Sequence, residues 1–269
     1  MLSEADLDFL VGRAAPDAID PARIKALIRE DPRFRAAIVG DDRVFECVAA
    51  DDEIFLKISP PLYFEVLLRR ALRELNAATH TVEESGRQRI PVFDASEVSR
   101  FLSKPDVLEY LAAMLASFTR IRSYVTHVRL RHGIRRRVRY NDMDVDSLLT
   151  MCASSSDEER LGYYKRIGDV CLFVSGVFPG HATYGLRYAG SGQLRPMTTT
   201  RLRRGLDDYE RDGRRYYGLA QAHPAARALG MTDVFGLLST HFAAARKPLT
   251  FIAARYLHAN SRALFGVQT

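Results

Sequence analysis

Residues 160–181, RLGYYKRIGDVCLFVSGVFPGH, hold the longest dense apolar run in the chain, Val170 to Phe178, broken only by Ser175 and Gly176. At 3.6 residues per turn Ile167, Val170, Cys171, Val174, Val177 and Phe178 make one broad face, and Leu172 and Phe173 extend it nearly all the way round. A helix that is apolar on every side has to be packed on several, so this one is predicted to be the most buried element. Pro179 and Gly180 stop it. Ser156 and Glu159 have the spacing of a capping box, which sets the start and predicts a central helix over 157–178.

The chain has 269 residues, 47% hydrophobic and 27% charged, the balance of a globular protein with room for one small and one larger module. No run approaches the roughly 18 to 20 apolar residues of a bilayer crossing, and MLSEADLDFL is acidic where a signal peptide is basic, so no membrane partner and a cytoplasmic location are expected. Cys47, Cys152 and Cys171 lie far apart among apolar neighbours, which suits reduced core thiols better than disulfides or metal ligands.

Of 39 basic residues five are lysines, which leaves 34 arginines in a chain of net charge +6. Arginine abundance follows base composition as readily as function, so placement carries the argument.

Ser3 caps a first helix to residue 13, Asp20-Pro21 opens a second, and Asp31-Pro32 opens a third that ends at Gly40. Val44 to Val48 and Ile54 to Ile58 are β-rich runs joined by a polar stretch and read as a hairpin. Three helices and then a hairpin is the element order of a winged helix, predicted as a module over 1–59. Residues 1–60 hold eight basic and thirteen acidic groups, and the expected wing tip is Asp51-Asp52-Glu53. Phosphates repel such a wing, so this module is expected to pack against protein, its own chain included, while Arg33 and Arg35 on the third helix leave a DNA contact as the alternative.

Pro60-Pro61 opens the second module, 60–269, with a helix to about Ala78 carrying Phe64, Leu67, Leu68, Ala71 and Leu75. Residues 79–92 read as a connection with a short extended piece. Helices are predicted over 95–102 and 105–118.

Thr119 to Tyr140, TRIRSYVTHVRLRHGIRRRVRY, carries eight arginines, and no acid lies between Glu109 and Asp142. Read as a hairpin over 124–140 turning at His132-Gly133, it sets Arg129, Arg131, Arg135, Arg137 and Arg139 on one side, with Val128, Leu130, Ile134, Val138 and Tyr140 on the other. A helix would put Gly133 mid-element at a cost of about 1 kcal/mol. The bland alternative is an edge strand whose charge discourages pairing. Eight charges without an acid exceed that need. The candidate nucleic-acid-binding residues are therefore Arg129, Arg131, Arg135, Arg136, Arg137 and Arg139, with nucleic acid or an acidic protein surface as partner. The acidic first module of a second copy would make the ribbon a homodimer contact.

Asp142, Asp144 and Asp146 alternate like the start of a calcium loop, but Ser147 and Ala153 stand where glycine and glutamate are required. Asp146 is instead expected to cap a helix from Ser147. Residues 181–197, with Gly185, Gly190 and Gly192, read as a loop or a loose hairpin. Thr199 or Thr200 caps a helix to about Gln221, Thr232 caps another to Arg246, and Pro248 begins a last one to Leu264.

No histidine pair has HExxH or i, i+4 spacing and no phosphate-binding glycine loop is present, so neither metal nor cofactor is expected. The fold class is mainly α, with the winged-helix-like module and one Arg-rich hairpin, and the function expected is non-catalytic binding or regulation. The alternative is an enzyme or ligand-binding protein with a pocket between the central helix and the C-terminal helices, using Asp169, His181 and His241. Against it, a carboxylate inside an apolar helix is more simply an ion-pair member, bonded to Arg166 or to tyrosine hydroxyls.

Overall fold

The computed structural model describes residues 2–51, 53–85, 88–119, 123–129, 135–179, 204–257 and 264–265. It is mainly helical and divides into two compact units. The first is Met1–Ser117 with Ala254–His258, and the second is Phe118–Ala253 with Ala259–Thr269.

In the first unit α1 (Glu4–Ala14) starts at a full capping box of Ser3 and Asp6. Then α2 (Pro21–Glu30) and α3 (Pro32–Val39) begin at Asp20-Pro21 and Asp31-Pro32, where each aspartate accepts backbone N–H bonds ahead of a proline that needs none. The expected wing is absent: Val44 to Val48 lies in α4 (Asp42–Ala50) and Ile54 to Ile58 spans the short α5 (Ile54–Lys57). Val44 with Val48, and Ile54 with Ile58, sit at i, i+4 and are buried, a spacing that serves a helix and a strand alike. Asp41 accepts the Arg43 N–H at 2.8 Å and supplies the start signal, and packing then overrides the β preference of valine and isoleucine. The winged-helix order does not survive this change.

Ser59, expected to close the first module, lies inside the first unit and caps α6 (Pro60–Ala77). The fully buried Asp6 carboxylate accepts the Ser59 N–H at 2.7 Å, the Ser59 hydroxyl at 2.9 Å and the Ser3 N–H at 2.8 Å, so one acid ties the starts of α1 and α6. Helix α6 packs against α3, α4, α7 (Ala95–Leu102) and α8 (Pro105–Ser117). Between α6 and α7 the connection carries two antiparallel strands, β1 (Thr81–Ser85) and β2 (Gln88–Val92), pairing Thr81 with Val92 and Val82 with Pro91. Residues 254–258 return here. The Tyr256 hydroxyl donates to Glu74 at 2.5 Å, and Arg70 and Arg255 pair with the same carboxylate. Burial pushes Glu74 upward, but these partners outweigh it and hold its pKa below the usual value.

The second unit is built on α10 (Asp157–Val177), which starts at the expected Ser156 capping box. Its Ile167, Val170, Cys171, Leu172, Phe173 and Val174 are all at most 1% exposed. Around it lie α9 (Val145–Ser154), α11 (Leu206–Ala222), α12 (Pro224–Ala228), α13 (Thr232–Thr240) and α14 (Phe242–Ile252). Glycine seams permit the close approach: a Cβ on Gly168 would lie 2.9 Å from the Tyr217 ring, on Gly176 2.7 Å from Leu249 Cβ, and on Gly213 2.2 Å from the Phe242 ring. Phe118 stacks on Phe173 at 4.1 Å, and Phe265 closes on Phe173 edge-on.

Three boundaries differ from expectation. Asp144, not Asp146, stands at the N-cap of α9, where it accepts the Ser147 hydroxyl at 2.5 Å. Pro248 lies inside α14, because the break comes at His241, whose backbone leaves the helical region without a glycine or proline to announce it. A π-helical turn, Ala253–Leu257, then follows α14 directly, and the end expected at Leu264 involves residues outside the described set. Thr199 and Thr200 also lie outside the described residues, and α11 starts at Leu206.

Candidate nucleic-acid interface

Strands β3 (Ser123–Arg129) and β4 (Arg135–Asn141) pair antiparallel, and among the described residues they pair only with each other. The register sets Arg129 against Arg135, Val128 against Arg136, His127 against Arg137, Thr126 against Val138, Val125 against Arg139 and Tyr124 against Tyr140. Tyr124, Val125, Thr126 and Val128 give β3 the composition of a pleated strand, while Gly133 in the intervening sequence disfavours a continuous helix. Arg129, Arg135, Arg136, Arg137 and Arg139 thus all fall on the paired strands. Arg131 and the His132-Gly133 turn lie outside the described residues.

Beyond β4 the described chain runs into polar contacts. Arg166 donates to the Asp142 carboxylate at 2.8 Å and to its carbonyl at 3.1 Å, with its guanidinium 4.0 Å over the Phe118 ring. Asp146 takes Arg204 at 2.6 Å, and Arg204 also reaches Asp212 at 3.3 Å. Burial works against the Arg204 cation, but the two carboxylates more than offset it and its pKa is raised. This Arg204 clamp between α9 and the start of α11 has no sequence signature, since its members lie 58 and eight residues apart.

The residues of the alternative enzyme reading are distributed as follows. Asp169 is 1% exposed on α10 and accepts the Tyr217 hydroxyl at 2.8 Å and Lys165 Nζ at 2.6 Å. The expected tyrosine is present; the expected Arg166 goes to Asp142 instead. His241 is exposed at the junction of α13 and α14, and His181 lies outside the described residues. Where α10 meets α14, Gly176 and Leu249 are in direct contact, which fills that point of the proposed pocket. Among the described residues no group of histidine, cysteine or acidic side chains has a metal-binding arrangement. No described helix is long and apolar enough to cross a membrane.

Burial pushes the Cys171 thiol far above its usual range and raises Cys152 as well. Cys47 is the most accessible of the three. A thiol reagent is therefore expected to modify Cys47 in the native protein and to reach Cys152 and Cys171 only after unfolding, as read by mass spectrometry of timed samples. Early labelling of Cys171 would contradict its place in the core.

The chain matches no protein-family model, no curated protein and no solved structure.

Proposed function

We propose that the protein is a non-catalytic binding protein whose arginine ribbon, residues 123–141, engages nucleic acid. The observation that carries the reading is the register of β3 on β4, which gathers five of the candidate arginines onto two paired strands within a segment that has eight arginines and no acid. A polyanion is the partner that such a charge distribution favours, because each phosphate neutralised releases condensed counterions. The bonds that Asp169 accepts from the buried Tyr217 hydroxyl and from Lys165 support a structural role of that residue over a catalytic one.

Anisotropy of a labelled oligonucleotide over a salt series tests this. If about four arginines each engage a phosphate, affinity falls by at least about three decades per decade of salt, and reversing Arg135 and Arg137 together to glutamate abolishes most of it. Binding indifferent to salt, or unchanged in the double variant, removes the proposal. Retention of an acidic protein but no oligonucleotide redirects it to a protein partner.

A further inference from the structure

Rungs two apart in a pleated ladder share a face, so the register sorts the ribbon positions into two sets. One face holds positions 125, 127, 129, 135, 137 and 139, which include four arginines. The other holds 124, 126, 128, 136, 138 and 140, which include both tyrosines, two valines and a single arginine, Arg136. Tyrosine positions and all but one of the arginine positions are therefore segregated, with His127 the single ring position on the arginine-rich face. A single-stranded ligand is gripped where charge and stacking rings interleave along one groove, which this arrangement does not provide.

From this register we infer that the ligand is duplex DNA, met in its major groove by the face that carries Arg129, Arg135, Arg137 and Arg139. The inference rests on the nucleic-acid reading and narrows it. A two-stranded ribbon is an element that the B-form major groove, about 12 Å wide, admits. Same-face positions advance by about 6.8 Å along a strand, so successive arginine positions can meet different nucleotides. Seven residues per strand give a length of about 20 Å, some six base-pair steps of about 3.4 Å. The major groove of A-form RNA is deep and narrow and excludes such a ribbon.

The full-length protein is titrated against duplex DNA, duplex RNA and single-stranded DNA of one sequence, each about 20 nucleotides long, and against heparin. Duplex DNA is expected to bind at least about tenfold tighter than the other two nucleic acids, and a ligand that fills the minor groove is expected not to compete. Arg137→Glu and Arg136→Glu change net charge equally but lie on opposite faces. The first is expected to weaken binding about tenfold more than the second, with circular dichroism confirming that both variants fold.

Equal affinity for duplex RNA or single strands, displacement by the minor-groove ligand, or equal losses in the two variants overturns this inference and leaves the polyanion reading standing. No binding to any of the four removes both.

Discussion

Asp169→Ala is expected to lower the stability of the second unit by about 2–4 kcal/mol, measured as the shift of its urea transition followed by far-UV circular dichroism. The carboxylate is 1% exposed on the most buried helix and accepts the hydroxyl of Tyr217, which is itself fully buried. Truncation takes the acceptor from a hydroxyl that water does not reach and leaves a small void beside Gly168. Lys165 contributes less, because its side chain is 36% exposed and is resolvated when the pair breaks. Tyr217→Phe should cost about 1–2 kcal/mol, and the double variant should lose clearly less than the two single losses together. Additive losses would separate the two groups energetically and refute the contact as the source of the effect.

Gly213→Ala is expected to be at least as damaging, about 3 kcal/mol or more, although alanine is the better helix former by about 1 kcal/mol. The added methyl would sit 2.2 Å from one Phe242 ring carbon and 2.6 Å from another, so α11 or α14 has to move. Shrinking the partner relieves this: Phe242→Leu in the same chain should recover part of the loss, though it creates a void by itself. An alanine variant as stable as the parent would mean that the two helices do not meet at this glycine.

The fates of these two residues show what the sequence exposes. Asp169 was recognisable as an anomaly because a charge inside an unbroken apolar helix needs a partner, but Tyr217, 48 residues away, could be named only as a residue type. Gly213, within the charged stretch ERDGRRYY, gave no sign of packing against Phe242. Helix starts were legible wherever Ser or Asp stood before Pro or three residues ahead of an acid, as at Ser3, Asp20, Asp31 and Ser156. The wing failed because i, i+4 valines satisfy two periodicities at once, and only burial on α1 and α6 decides between them. The β1–β2 pairing was missed because five-residue strands containing glutamates and a proline carry little β signal. For the ribbon, alternation in the sequence suggests a two-faced element and sets Tyr140 apart from the arginines, but the pairing partners, and so the place of Tyr124 opposite Tyr140, require the register.

The return of residues 254–258 to the first unit divides the chain of both units: residues 118–253 of the second lie between the two parts of the first, and residues 259–269 belong to the second again. The first unit is therefore assembled from two separate stretches of chain and needs both. A stop codon a few residues before Tyr256 would injure that unit, depriving Glu74 of two of its partners.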